Sequence, residues 1–222
     1  MFVKLNLQTF RKDNNCLQNN NNQHTYFYTK KAFSMVFESK KAIRRHIKSL
    51  TTAIPMAEKQ RQALVVDSAL RDIIGMMDYP TVALFSPLGD ELPIDIDSMA
   101  EVCRILLPKV DATTSTPLME FYDYLPDSLQ AGAYGIDEPS GGNPISCNKI
   151  DLAIIPAVAF TNNGDRLGRG KGYYDCYLSR DGFRAHTIGV CFNHQLLPSL
   201  PTEPHDRRVD KVVTASIIEQ ND

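Results

Sequence analysis

The stretch from Asp165 to Asp175, D-R-L-G-R-G-K-G-Y-Y-D, combines residue types that suit the binding of a polyphosphate. It contains three glycines and three cations: Gly168, Gly170 and Gly172 with Arg166, Arg169 and Lys171. A backbone without Cβ atoms can approach a bulky anion and direct its N–H groups at it. Arginine can also bind phosphate oxygens through two donors at once. The stretch therefore predicts a phosphate-binding loop.

Two well-known phosphate loops do not match this pattern. A Walker A loop has Gly, four residues and then Gly-Lys-Ser/Thr, whereas the position five before Gly170 is Asp165, and Gly172 follows the lysine. The dinucleotide pattern G-x-G-x-x-G would need glycine where Tyr173 stands. A solvated basic turn between a strand and a helix remains the alternative. The apolar strand before the loop and the Tyr-Tyr-Asp start of a helix after it favour the phosphate site.

Apolar strands separated by helices predict a three-layer αβα domain around this loop. The run from Leu152 to Phe160 is almost continuously apolar, as expected of a central strand that is covered on both faces. Residues 125–149 are rich in Gly, Pro, Ser and Asn and are predicted to be loop. The other predicted strands are Thr81–Phe85, Arg104–Leu107, Pro117–Tyr124, His186–Phe192 and Val209–Thr214, and the predicted helices are Glu38–Thr52, Ala57–Met77, Asp95–Val102 and one that starts at Tyr173.

The first predicted helix, Glu38–Thr52, has a basic face. Ile43, Ile47, Leu50 and Ile54 recur at helical spacing and predict its apolar stripe. Lys40 and Arg44 are four residues apart and share another face. Taken alone, these residues favour an ordinary solvated face over a binding site.

Glu91 lies in a turn, Ser86–Pro93 (S-P-L-G-D-E-L-P), that follows the predicted strand Thr81–Phe85. The carboxyl ends of strands are where ligand groups stand in α/β sheets. An exposed loop acid is the alternative reading.

The composition indicates an ordinary globular protein. At 222 residues and 24.9 kDa, the chain is long enough for one well-buried domain and short for two. The net charge of −2 provides no general attraction to nucleic acid or to an anionic membrane, and no apolar run approaches the roughly 20 residues of a spanning helix. The five cysteines form no C-x-x-C pair, which indicates a reducing compartment. We expect a cytoplasmic monomer or weak homodimer.

Residues 1–35 differ in composition from the rest of the chain. Asn14 to Gln23 is polar and low in complexity, with no apolar periodicity, so this segment is predicted to be a disordered, asparagine-rich extension. Its shortage of acids also suggests a transit peptide, but it has few basic residues and few serines. Residues 36–222 are predicted to form the catalytic domain.

The chain resembles the 5-formyltetrahydrofolate cyclo-ligase family, also called methenyltetrahydrofolate synthetases. The resemblance rests on D-L-A-I-I-P-A-V-A-F at Asp151–Phe160, a turn with Gly164, and R-L-G-R-G-K-G-Y-Y-D after it. Further segments support it: L-L-P-K at Leu106–Lys109, Y-G-I-D-E-P at Tyr134–Pro139 and V-D-K-V-V-T at Val209–Thr214. It extends from about residue 38 to the end of the chain.

The resemblance implies a mixed, mostly parallel sheet of the phosphosugar-isomerase or CoA-transferase type. It also implies ATP-dependent cyclisation of 5-formyltetrahydrofolate to 5,10-methenyltetrahydrofolate through a phosphorylated formyl group, with Mg²⁺ as cofactor. The ATP and folate are small-molecule partners, and no nucleic acid or membrane is expected. The implied ATP contacts are Lys40, Arg44, Arg166, Leu167, Gly168, Arg169, Gly170, Lys171, Gly172, Tyr173 and Tyr174. The implied folate contacts are Glu91, Arg169, Gly170, Lys171, Gly172 and Tyr173. The implied catalytic residues are Arg169 and Lys171, and the implied metal ligands are Asp175 and Asp206.

A phosphate- or RNA-binding module could use the same basic loop, but the remaining Arg and Lys residues are balanced by acids and form no extended basic patch. A sugar-phosphate isomerase or CoA-transferase relative would share the sheet but not this loop. Both stay open as alternatives that an assay would separate.

Overall fold

A six-stranded sheet lies at the centre of the computed structural model, which describes residues 39–114 and 116–220. In chain order the described strands are β1 (Thr81–Ala83), β2 (Arg104–Asp111), β3 (Leu118–Asp123), β4 (Leu129–Ala131), β5 (Asp137–Pro139), β6 (Leu152–Pro156), β7 (Ala159–Thr161), β8 (Arg166–Leu167), β9 (His186–Val190), β10 (Leu196–Leu197) and β11 (Lys211–Val213). The described helices are α1 (Lys40–Ala53), α2 (Met56–Gly75), α3 (Ile96–Ala100), α4 (Tyr173–Leu178) and α5 (Ala215–Glu219).

The central sheet is mixed and mostly parallel, which confirms the predicted sheet type. Its strand order is β11-β9-β6-β1-β2-β3. Every neighbouring pair is parallel except β2 and β3, which run antiparallel over the register Leu106–Asp123 to Asp111–Leu118. Strand β6 lies inside the sheet and all five of its residues are buried, so its nearly unbroken apolar sequence is explained by cover on both faces.

Helices cover both faces of the sheet and complete three layers. Because side chains alternate along a strand, Ile154 of β6 packs in the core beneath α2, while its neighbour Ile155 packs in the core on the other face. Val66 and Leu70 bring the apolar stripe of α2 into the first core. Tyr177 of α4 lies in the second core. The predicted αβα architecture is therefore confirmed.

The apolar run Leu152–Phe160 is not one strand, and that prediction is wrong. Strand β6 ends at Pro156, and the chain leaves the central sheet as Val158 N donates to Leu167 O at 2.9 Å. Residues Ala159–Thr161 form β7 in a separate three-stranded sheet, β10-β7-β8. Hydrophobic periodicity does not distinguish these arrangements, because the residues are buried in both.

The turn between β7 and β8 requires its glycine. Gly164 has φ +83°, and a Cβ on it would lie 2.1 Å from the carbonyl oxygen of Val209. A residue with a side chain would therefore meet both backbone strain and a backbone clash. This tight hairpin directs the following residues, from Gly168 onwards, back towards the central sheet.

The segment predicted to be loop, 125–149, contains a hairpin. Strands β4 and β5 pair antiparallel, with Leu129 opposite Pro139. Between them Tyr134 adopts φ +66°, and its hydroxyl oxygen lies 3.4 Å from that of Tyr173 at the start of α4. The hairpin thus reaches the end of the glycine-rich loop.

The remaining predicted elements are present with shifted ends. Helix α1 begins at Lys40, where the Ser39 side chain accepts from Ala42 N, and strand β2 continues past Lys109 to Asp111. Helix α5 was not predicted. The prediction for residues 1–35 lies outside the described residues. Among the described helices, none combines the length and apolar character needed to cross a membrane.

Candidate active site

A cavity of about 500 Å³ lies beyond the carboxyl ends of β1 and β6. Its volume is within the usual range for sites that enclose small ligands. It brings together the residues from α1, from the turn after β1, from the glycine-rich loop and from the loop before β11. The candidate site residues lining it are Lys40, Arg44, Glu91, Arg166, Leu167, Gly168, Arg169, Gly170, Lys171, Gly172, Tyr173, Tyr174, Asp175 and Asp206.

The glycine-rich loop is held against α1. Arg44 Nε donates to the carbonyl oxygen of Gly168 at 2.7 Å. A Cβ on Gly170 would lie 3.4 Å from the Arg44 guanidinium, and Gly170 has φ +94°. Gly172, with φ +76°, occupies the N-cap of α4. The alternating glycines therefore allow positive φ angles and a close approach to arginine that other residues would resist.

Arg166 forms a buried ion pair with Asp175. Its Nη2 donates to Asp175 Oδ1 at 2.6 Å, and the arginine side chain is only 3% exposed. The same carboxylate oxygen accepts from the backbone N–H of Arg207 at 3.0 Å. Arg166 also lies over the ring of Tyr174, 5.6 Å from its centroid, and its Nε is buried without a partner among the described residues. This pair joins the start of α4 to β8 at the wall of the cavity.

Arg169 lies between two acids of the turn after β1. Its Nε donates to Glu91 Oε1 at 3.0 Å, and its Nη1 donates to Asp90 Oδ2 at 3.3 Å. Its Nη2 also contacts Asp90 Oδ1. Burial of the Arg169 guanidinium favours a lower pKa, but the carboxylates of Asp90 and Glu91 outweigh burial and raise the pKa of Arg169. A predicted phosphate contact and the predicted folate acid are therefore ion-paired.

Lys40 of α1 forms ion pairs with two acids of the loop before β11. Its Nζ lies 2.7 Å from Asp206 Oδ2 and 3.0 Å from Glu203 Oε2. Burial favours a lower pKa for Lys40, but hydrogen bonds to these two carboxylates outweigh burial and raise the pKa of Lys40. Burial also favours a higher pKa for Asp206, but the hydrogen bond from Lys40 outweighs burial and lowers this pKa. Both groups are therefore charged at neutral pH.

Lys171 differs from the other cations of the loop. It is exposed at the cavity, and no described residue forms a hydrogen bond or ion pair with its ammonium group. An ammonium on a flexible stem is free to follow a moving negative charge. Beside it, burial raises the pKa of Tyr174, so its phenol stays protonated.

A divalent cation fits the Asp206 side of the cavity. Glu203, His205 and Asp206 each offer one ligand atom within 4.8 Å of the others. Two of these are carboxylate oxygens, the ligands that Mg²⁺ prefers. A cation would share these carboxylates with the ammonium of Lys40 or replace it. Asp175, the other predicted metal ligand, is not part of this group, and its Oδ1 accepts from Arg166 and from the backbone N–H of Arg207.

Four further residues at this site were not predicted from the sequence. Asp90, beside Glu91, contacts Arg169. Glu203 and His205 precede Asp206 in a run, E-P-H-D, whose residue types are typical of metal ligands and could have been recognised. Tyr134 lines the cavity from the hairpin in the segment predicted to be loop, and its hydroxyl contact with Tyr173 shows its place; the segment Tyr134–Pro139 that supports the resemblance was the signal for it.

A sequence profile of the 5-formyltetrahydrofolate cyclo-ligase family matches residues 36–215. The chain is 31% identical over 186 residues to the 5-formyltetrahydrofolate cyclo-ligase of Mycolicibacterium smegmatis, covering 79% of this chain and 93% of that protein. It is 26% identical over 199 residues to the mouse (Mus musculus) 5-formyltetrahydrofolate cyclo-ligase, covering 80% of this chain and 94% of that protein. It also matches the solved structure of a 5,10-methenyltetrahydrofolate synthetase from Mycoplasma pneumoniae with a TM-score of 0.65 and 26% identity, covering 80% of this chain and 99% of that one.

Proposed function

The chain belongs to the 5-formyltetrahydrofolate cyclo-ligase family, and on that premise we propose that it uses ATP to cyclise 5-formyltetrahydrofolate to 5,10-methenyltetrahydrofolate. ADP and phosphate are the other products. The formyl oxygen is a poor leaving group, so the γ-phosphoryl group is transferred to it first. The anilino nitrogen then attacks the formyl carbon, loses its proton, and the oxygen departs with the phosphate as the ring closes.

One observation carries this proposal: a single cavity has a buried carboxylate and several cations in its walls. Glu91 is 9% exposed and lines the cavity from the turn after β1. Its carboxylate suits the amino-pyrimidine edge of a pterin, with which it can form paired hydrogen bonds. Lys171 and Arg169 line the same cavity and suit a triphosphate. The two substrates can therefore meet in one enclosure, which the transfer of a phosphoryl group between them requires.

The residues divide the chemical work between holding and neutralising. Arg166, fixed by Asp175, and the loop amides bind the triphosphate in one orientation, while Arg44 keeps the loop on α1. The free ammonium of Lys171 neutralises the migrating phosphoryl group, and Arg169 supports it. Phosphoryl transfer depends mainly on such alignment and charge neutralisation. No strong general base is needed, because the anilino nitrogen loses its proton only after it has attacked.

Asp206 and Glu203, with the predicted ligand Asp175, would hold a magnesium ion. When bound, Mg²⁺ would neutralise charge on the phosphate oxygens of ATP. Lys40 would then balance the excess negative charge of Asp206 and Glu203. This leaves Lys40 as an indirect contributor to nucleotide binding.

The proposal is tested by mixing the purified chain with ATP, Mg²⁺ and 5-formyltetrahydrofolate and following the methenyl absorbance in the near ultraviolet. We expect absorbance to rise only when ATP is present, with one ADP released per methenyl group. A heavy oxygen isotope placed in the formyl group should appear in the released phosphate. Absence of methenyl formation would refute the function, and unlabelled phosphate would refute the phosphorylated intermediate. A phosphate- or RNA-binding module would give no absorbance change.

A further inference from the structure

We propose that Asp90 is a positioning residue that keeps Arg169 aimed at the reacting phosphoryl group when folate occupies Glu91. The inference rests on the proposed function, because it assigns Arg169 to the phosphate and Glu91 to the folate. Arg169 has contacts with both acids, and the two acids are adjacent in the turn after β1.

A pterin bound at Glu91 would have to share the carboxylate with Arg169 and with a backbone N–H group. Glu91 Oε1 accepts from Arg169 Nε at 3.0 Å, and its Oε2 accepts from the backbone N–H of Leu88 at 3.0 Å. An amino-pyrimidine edge needs both carboxylate oxygens as acceptors. Each oxygen would then accept a second hydrogen bond, and sharing its charge among more donors weakens the support that Glu91 gives to Arg169.

Asp90 is placed to be the support that remains. It contacts two nitrogens of the Arg169 guanidinium, Nη1 and Nη2, in a forked arrangement, and this geometry restricts the orientation of arginine more than a single contact does. Asp90 does not line the large cavity. It lines a smaller one of about 120 Å³, together with Lys48, Gln195 and Arg169 itself. Asp90 thus contacts Arg169 without lining the proposed substrate cavity, and it acts through Arg169.

The charge of Asp90 makes its role separable from direct nucleotide binding. Burial favours a higher pKa for Asp90, but the hydrogen bond from Arg169 outweighs burial and holds this pKa below its usual value. The carboxylate of Asp90 is therefore anionic at neutral pH. An anion near a triphosphate weakens binding through repulsion, whereas a positioned arginine accelerates transfer. Loss of the charge should therefore lower turnover without weakening ATP binding.

The test compares Asp90→Asn and Asp90→Glu with the parent enzyme. We expect Asp90→Asn to lower kcat by roughly 10-fold to 100-fold, since small misplacements at a reacting centre have effects of this size. The KM for ATP should stay the same or fall, and Asp90→Glu should recover part of kcat. The matched control is Asp123→Asn, which breaks a forked pair with Arg104 of similar exposure on β2 and β3, outside the cavity lining, and should keep the parent's kinetics.

A double-mutant cycle with Arg169→Lys decides whether Asp90 acts through Arg169. In that background, Asp90→Asn should have little further effect on kcat. Full multiplication of the two effects, a kcat for Asp90→Asn within twofold of the parent, or a raised KM for ATP with unchanged kcat would each overturn the inference. A fall in kcat matched by a loss of folded protein in a thermal melt would do so as well. An inactive parent would instead refute the proposed function, so the two failures are distinguishable.

Discussion

Removal of the Asp175 carboxylate should destabilise the protein even when no ligand is present. Asp175 is the ion-pair partner of Arg166, whose side chain is 3% exposed. The distance from Arg166 Nη2 to Asp175 Oδ1 is 2.6 Å. In an Asp175→Ala variant, the guanidinium would remain buried with its charge unpaired. Its Nε already has no partner among the described residues, so the side chain has little alternative hydrogen bonding. Removing one partner of a buried ion pair is costly because the other charge is left in a poorly solvated site.

The expected size of the effect follows from burial. Breaking a buried pair costs about 3–5 kcal/mol. Asp175 is 19% exposed, so water can reach part of the site, and the lower value of about 3 kcal/mol is appropriate. For a protein of this size, each kcal/mol shifts the thermal midpoint by about 2–4 °C, which predicts a fall of roughly 6–12 °C. Asp175→Asn keeps an acceptor for Arg166 but not the charge and should fall between the parent and Asp175→Ala.

The assay is thermal unfolding followed by circular dichroism, without nucleotide and with a chelator. Under these conditions, a role in metal binding cannot contribute to stability. The control is Asp123→Ala, whose pair with Arg104 is about 40% exposed on both sides and should contribute less than about 1 kcal/mol. A midpoint for Asp175→Ala within about 2 °C of the parent would refute the reasoning that the Arg166 charge is desolvated. Magnesium titration of the folded Asp175→Asn enzyme then tests the separate role as a metal ligand.

Three further changes test the site and the pH response. Lys171→Met should lower kcat by about 100-fold or more, as loss of a group that stabilises transition-state charge does, while the dissociation constant of 5-formyltetrahydrofolate stays within a few-fold; near-parent turnover would contradict its catalytic role. Glu91→Gln should raise the KM for folate by about 10-fold or more, because a hydrogen bond to a charged group is lost; an unchanged KM would exclude it from the pterin site. Burial lowers the pKa of His194 from 6.5 to about 4, so its stabilising contribution is present above pH 6.5 and is lost as pH falls towards 4, where the unfolded chain binds the proton more readily. In His194→Gln, the thermal midpoint should therefore change less between pH 6.5 and pH 4 than it does in the parent. A pH dependence identical to that of the parent would contradict this role of His194.

The spacing of apolar residues in the sequence predicted the helices that bury one face and the strands that are buried on both faces. Helix α1 is an example: Ile43 and Ile47 recur at helical spacing and are each 1% exposed. The pattern was weaker at Leu50, which is 37% exposed, while Thr51 is buried instead and donates to the carbonyl oxygen of Ile47. Periodicity therefore located the helix, and packing against its neighbours selected which side chains are covered.

The same reasoning failed where one run of residues serves two sheets. Leu152–Phe160 is uniformly buried, so nothing in its pattern marks the change from β6 to β7. The change depends on hydrogen bonds made by residues outside the run, such as Val158 N to Leu167 O. The hairpin of β4 and β5 was missed for a related reason. Its strands have three residues each, too few for a periodic signal, and turn-forming residues surround them.

The amino-acid sequence by itself determined the family, the mixed α/β class and the glycine-rich loop, because these depend on residue types at short, fixed spacing. Only the tertiary structure decided which charges meet. It joined Arg169 to Asp90 and Glu91, Lys40 to Glu203 and Asp206, and buried Arg166 against Asp175. Except for Arg166 and Asp175, these partners are more than 70 residues apart in the chain. The strength of such pairs depends on distance and on exclusion of water, and both arise only when the sheet brings distant loops together at one end.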